Sequence, residues 1–164
     1  YALWGNRLAG HGYTVNSSNS HPSCLRFLNY QIVRHSNLIL LQNEEYIFEG
    51  VKFWGSPVTP TFFNWAHNVD RGELHKYWDL IPNDTDVLIT HGPPYGILDV
   101  TPDNQQVGCE ELLTRVETVK PKLHVFGHIH HSYGTIEDYD TTYVNASICN
   151  ERYSPIHAPI IFDI

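Results

Sequence analysis

Two short apolar runs, each closing on a glycine–histidine cluster and separated by one amphipathic stretch, constrain this chain more than any other feature. Val87-Leu88-Ile89 is continuously apolar, as a strand covered on both faces requires. Between Gly108 and Pro121 the apolar residues Cys109, Leu112, Leu113, Val116 and Val119 recur at helical spacing, with polar residues between them. Leu123–Phe126 supplies a second strand. Strand, crossover helix and strand make a βαβ unit, parallel and right-handed. Twelve residues of helix run about 18 Å and a five-residue strand about 16 Å, so the helix can lie back along the sheet. The expected class is a single α/β domain.

Elsewhere the pattern is more local. Residues 1–23 are rich in Gly, Asn, Ser and His and read as loop, and Ser23–Arg34 carries a helical stripe of Leu25, Leu28 and Ile32. Leu38–Leu41 reads as a short strand. Tyr46–Phe48 and Val51–Trp54 flank Glu49-Gly50, a hairpin signal. Gly55–Asn68, with Pro57, Pro60 and several aromatics, reads as an ordered loop. Asp70 and Glu73 predict a helix start, with Leu74, Tyr77, Trp78 and Ile81 on its inner face and Pro82 as its stop. Tyr143–Ala146 and Ile160–Ile164 are expected as closing strands.

Composition narrows the function classes. Of 164 residues, 41% are hydrophobic and 17% charged, which supports a packed core. The formal charge of −8 opposes non-specific nucleic-acid binding. No apolar run reaches the roughly 18 residues of a membrane span. Three cysteines (Cys24, Cys109 and Cys149), widely spaced and without a Cys-x-x-Cys, fit a reducing, cytoplasmic setting. The chain opens on Tyr1 and contains no methionine, which reads as part of a longer protein. Eleven histidines against ten Lys and Arg direct attention to metal sites.

Three of those histidines have a defined address. The first strand of the βαβ unit runs into Thr90-His91-Gly92-Pro93-Pro94 and the second into Gly127-His128-Ile129-His130-His131. Ligands of open α/β sheets bind beyond the carboxyl ends of the strands, so His91, His128 and His130 are expected on one edge. In an extended segment His128 and His130 point the same way, and two such rings can serve two ions about 3.5–4 Å apart. Imidazole suits Zn, Mn, Fe and Ni. A dinuclear site also needs carboxylates, and no Asp or Glu holds a comparable position; Asp99 reads as a turn residue.

His91-Gly92-Pro93-Pro94, Gly127-His128-Ile129-His130 and Val144-Asn145-Ala146-Ser147 resemble the later motifs of the calcineurin-like metallophosphoesterases, and most closely the metallophosphoesterase domain-containing proteins. Tyr46–Ser56, Asn64–Pro82, Val107–Glu111 and Ile160–Ile164 extend the resemblance over residues 36–164. It implies two facing β-sheets flanked by helices, with residues 36–164 as the C-terminal part of the domain and 1–35 an irregular lead-in. It implies two divalent transition-metal ions (Mn, Fe, Zn or Ni), His91 and His128 on one and His130 on the other. The implied reaction is attack of a metal-activated hydroxide on a small phosphoester, a phosphodiester or nucleotide. His131 and Asn145 would support the ligands from behind or touch substrate.

The family's Asp-x-His and Gly-Asp-x-x-Asp motifs have no counterpart before His91, and Gly5-Asn6-Arg7 matches its third motif only by a Gly-Asn pair. The expectation is therefore a chain with the histidine half of the site, binding metal weakly and hydrolysing little by itself; no catalytic residue is assigned. Two alternatives stay open: a degenerate relative serving as a binding or scaffolding module, and a single Zn²⁺ held by the three histidines. Trp65, His67, Asn68 and Arg71 read as loop packing in preference to substrate contacts.

Overall fold

The computed structural model describes residues 39–164. The loop expected over 1–23, the helix over Ser23–Arg34 and the Gly5-Asn6 pair lie outside the described residues. Eight strands form in chain order: β1 (Glu44–Phe48), β2 (Val51–Ser56), β3 (Thr59–Pro60), β4 (Asn68–Val69), β5 (Val87–Thr90), β6 (Leu123–Phe126), β7 (Gly134–Asp138) and β8 (Thr141–Asn145). Helix α1 (His75–Trp78) precedes β5 and helix α2 (Glu110–Val119) joins β5 to β6. The main sheet has six strands in the order β1-β2-β5-β6-β8-β7, and β3 and β4 form a two-stranded parallel ladder.

The expected βαβ unit is present. β5 and β6 pair in parallel, Val87 opposite Leu123 and Ile89 opposite Val125, and β2 and β8 extend the parallel centre on either side. Helix α2 starts at Cys109, whose thiol accepts the Leu112 amide and whose backbone is extended. Glu110 and Glu111 place negative charge in its first turn, and Lys120 ends it in the left-handed conformation. Its inner face, Leu112, Val116 and Val119, packs with Trp54, Leu88, Phe126 and Tyr143 of the sheet and with Leu74, Trp78 and Ile81. Strand alternation sends Val87, Leu123 and Val144 to the opposite face, against half-buried Val51, Phe53, Ile89, Val125 and Ile160.

The hairpin expected at Glu49-Gly50 joins β1 to β2, with both residues at positive φ (48° and 83°), the geometry a two-residue turn needs. Three expectations need correction. The helix predicted from Asp70 shrinks to a single turn. Asp70 accepts a bond from Thr61 Oγ1 (2.6 Å), and Gly72 at φ 88° breaks the helical path before His75. Residues 39–41 are not a strand; Leu41 instead lies over Gly55, closer than a Cβ there would tolerate. Ile160–Ile164 are not a strand either: only Ile160 packs on the sheet, and Ile161 and Ile164 face solvent. One edge of the sheet is β7. Its sequence, Gly-Thr-Ile-Glu-Asp, is polar and largely exposed, so periodicity does not reveal it.

Candidate metal centre

The parallel centre sets the site. The Gly127 amide donates to the His91 carbonyl (3.1 Å), continuing the β5–β6 ladder one step past both strands. His91 and His128 thereby face one another, with His91 Nε2 3.1 Å from His128 Nδ1 and ring centroids 4.6 Å apart. A Cβ at Gly92 would meet Thr59 Oγ1 at 3.4 Å and the His128 ring at 3.8 Å, ordinary contact distances, so the approach of the two rings does not depend on glycine there.

His128 is not extended as the sequence suggests. Its φ is 70°, and the Ile129 amide bonds back to the Gly127 carbonyl (2.8 Å), which makes a three-residue turn centred on His128. A non-glycine residue in such a turn is held there by its surroundings, a conformation concentrated at functional sites. The turn presents His128 to His91, and His130 opens a 3-10 turn over His130–Ser132. His130 Nδ1 lies 2.9 Å from the Asn150 carbonyl and its ring meets Tyr153 edge-on. That carbonyl can only accept, so Nδ1 carries the hydrogen and Nε2 the lone pair, the arrangement usual for a ligating histidine.

Burial drives the charge state. Loss of solvent, then His128 and His67 in turn, push the His91 pKa down to about 3. Burial, then His130, lowers His128 to about 4. Burial also lowers His67. The pair is therefore neutral at physiological pH, as metal ligands must be. Its spacing fits the same role. Metal–nitrogen bonds of about 2.0–2.1 Å at angles between 90° and tetrahedral put two ligand nitrogens roughly 2.9–3.4 Å apart, a range that includes the observed 3.1 Å. In the absence of an ion, one ring donates its N–H to the other at the same separation.

Other expected site residues are placed differently. Among the described residues no group of three or more His, Cys, Asp or Glu side chains is arranged to hold a metal. Asp99 is fully buried and its Oδ2 accepts the Gly96 and Gly108 amides (2.8 and 3.0 Å), the turn role expected of it. His131 is exposed and pairs with Glu151 (3.2 Å). Asn145 is fully buried: its amide donates to the Leu98 and Ile129 carbonyls (3.1 and 2.8 Å), and its oxygen accepts the Ser147 amide (3.1 Å). It touches the His128–His130 segment from behind. Arg71 bonds Val107, Gly108 and Glu110, and Asn68 bonds the Phe62 and Phe63 carbonyls, both as loop packing.

Two groups do more than the sequence indicates: His124, a core or edge histidine by its mid-strand position, and the loop aromatics beside Trp65. His124, within β6, is fully buried, held near pKa 3 by desolvation, and sits 2.9 Å from Thr90 Oγ1. Thr90 Oγ1 in turn donates to the Gly92 carbonyl (2.8 Å), so His124 Nε2 is the donor to Thr90 and the chain of bonds brackets His91. Phe62 and Trp65 each meet His128 edge-on at 6.0 Å. The aromatic spacing was visible, but no local rule ties residues 62–65 to residue 128.

An α/β sheet with a neutral histidine pair beyond the carboxyl ends of adjacent parallel strands defines the class of site; sequence relatives define the family. The chain matches no protein-family model. Metallophosphoesterase domain-containing protein 1 of Homo sapiens is 49% identical over 141 residues, which cover 83% of this chain and 43% of that protein; the Mus musculus protein of the same name gives the same values. A UPF0046 protein of Caenorhabditis elegans is 44% identical over 131 residues, 79% of this chain and 33% of its own length. The chain belongs to the metallophosphoesterase domain-containing protein family. It spans under half the length of these relatives. A solved crystal structure shares the fold with a TM-score of 0.57 at 22% identity, over 75% of this chain and 51% of its own. No helix among the described residues is long and apolar enough to cross a membrane.

Proposed function

We propose that the protein is a metal-dependent phosphoester hydrolase acting on small phosphodiesters or nucleotides, with His91 and His128 as two ligands of one divalent ion and His130 a ligand of a second. The observation that carries this reading is the 3.1 Å approach of two neutral, buried imidazole nitrogens past the ends of adjacent parallel strands. A bound divalent transition metal (Mn, Fe, Zn or Ni) supplies Lewis acidity toward water and the phosphoryl oxygens. The protein's part is to present the nitrogens without proton competition, to fix them through Thr90, His124 and Asn145, and to exclude water on the side of Phe62 and Trp65. Hydrolysis forms a bond from the water oxygen to phosphorus and breaks the ester bond, with a proton passing to the leaving alkoxide.

The reading takes residues 36–164 as part of a calcineurin-like domain, in which a second sheet covers the face of Val51, Phe53, Ile89 and Val125. Their partial exposure supports that arrangement. Free thiols at Cys109 and Cys149 support a cytoplasmic location. A second reading, a binding or scaffolding module, is favoured by the absence of a three-ligand cluster among the described residues.

Calorimetric titration with Mn²⁺, run on the chain and on His91→Ala and His128→Ala, tests the proposal, with hydrolysis of bis-p-nitrophenyl phosphate measured in parallel. The expected result is weak binding by the chain, reduced at least ten-fold in each variant, with any hydrolysis following metal occupancy. Binding that both variants leave unchanged overturns the ligand assignment. Hydrolysis that rises with Mn²⁺ occupancy and is lost in both variants excludes the scaffolding module.

A further inference from the structure

Phe62, Phe63 and Trp65 form one aromatic cluster on the segment between β3 and β4, with ring centroids 4.4, 5.3 and 6.0 Å apart. The cluster abuts the candidate centre, because Phe62 and Trp65 both border His128. It is not core: Phe63 is 75% exposed and Phe62 45%. Single exposed aromatics need no explanation, but three in four residues against a histidine pair make a patch of the kind that marks binding sites.

The segment carrying them is fixed. The Thr59 and Thr61 amides donate to the His67 and Val69 carbonyls (3.2 and 3.0 Å), and Asn68 Nδ2 clasps the Phe62 and Phe63 carbonyls at 3.1 Å each. Phe63 sits at φ 50°, a conformation kept only where neighbouring contacts impose it. A wall already ordered loses little entropy when a flat group stacks on it.

We propose that Phe63 and Trp65 are specificity-determining residues, stacking the planar aromatic group of a phosphoester whose phosphorus lies at His91 and His128. The inference rests on the phosphoester reading above and deepens it. Aromatic faces bind flat π-systems by dispersion and quadrupole contact without reading hydrogen-bond edges. The site therefore favours aryl or heteroaryl esters over alkyl esters and is tolerant of which ring is offered. The cluster stands directly beside His128, so an aromatic group one ester linkage from the phosphorus reaches it.

The test compares phenylphosphonate with methylphosphonate, neither of which has an ester bond to hydrolyse, by calorimetry on the Mn²⁺-saturated chain and on Phe63→Ala and Trp65→Leu. Thermal midpoints check folding; Phe63 is exposed, so at least that variant keeps its fold. The chain is expected to bind phenylphosphonate roughly five-fold or more tighter than methylphosphonate, and each variant to bring that ratio toward one. A ratio near one in the unmodified chain, failure of phenylphosphonate to bind, or a ratio that both variants preserve overturns the platform. Methylphosphonate binding without a phenyl preference removes the platform alone. A phenyl preference in a chain whose metal binding ignores His91→Ala and His128→Ala removes the phosphoester reading and leaves the platform.

Discussion

Asn145 offers the sharpest test of how the strand ends are held. Its side chain is fully buried and makes three hydrogen bonds, to the Leu98 carbonyl (3.1 Å), the Ile129 carbonyl (2.8 Å) and the Ser147 amide (3.1 Å). Asn145→Ala leaves two carbonyls and one amide in the interior without their partner. At roughly 1 kcal/mol per bond, the expected loss is about 3 kcal/mol. For a domain of this size that lowers Tm by roughly 6–12 °C. Asn145→Asp keeps the shape but aims a carboxylate oxygen at two carbonyl oxygens, so at neutral pH it should destabilise more than the alanine variant. Its folded-state pKa is raised, because the protonated form restores a donor. The aspartate variant therefore gains on the alanine variant as pH falls and loses again as pH rises through the folded pKa. Urea unfolding followed by fluorescence, at pH 7 and at pH 4.5, measures both effects. A loss below about 1 kcal/mol for Asn145→Ala, or an aspartate variant insensitive to pH, would falsify the claim that this side chain clamps the Ile129 turn.

Two further expectations use the same assay. His91, His124 and His128 hold folded pKa values of about 3, 3 and 4 against 6.5, so the unfolded chain takes up protons that the folded chain refuses. Stability is full above pH 7 and falls below it, by about 1.4 kcal/mol per pH unit for each histidine; a urea midpoint that stays flat from pH 7 to pH 5, in the presence of chelator, contradicts this. Gly108→Ala drives a Cβ to 2.3 Å from the Pro94 carbonyl oxygen and 2.6 Å from Tyr95 Cα, both backbone. It should prevent stable folding or cost more than about 3 kcal/mol, whereas Gly50→Ala, strained at φ 83° but in open space, should cost about 1–2 kcal/mol. Equal midpoints for the two variants would show that the Pro94–Cys109 contact yields easily.

What could be read along the chain was what local periodicity and chain connectivity specify. The stripe Leu112, Val116 and Val119 and the apolar runs at 87–89 and 123–126 required a parallel βαβ unit, and that unit necessarily brings His91 and His128 to one edge. The Glu49-Gly50 hairpin followed from two residues. Polar β7 and the broken helix after Asp70 were hidden, because an edge strand needs little apolar surface and Thr61 claims the Asp70 carboxylate from nine residues away.

The site divides along the same line. The sequence by itself determined that His91 and His128 would lie beyond two neighbouring strand ends, since strand direction and the crossover put both on one edge; burial in the folded chain is what makes them neutral. Only the tertiary structure decided which nitrogens meet. The positive φ of His128 turns that ring to His91 across 37 positions of sequence, Asn150 holds His130 from 20 positions away, and the aromatic wall reaches His128 from the far end of a loop. These contacts are fixed by packing and by the need of each buried polar group for a partner, and such demands are met through space, where spacing along the chain carries no record of them.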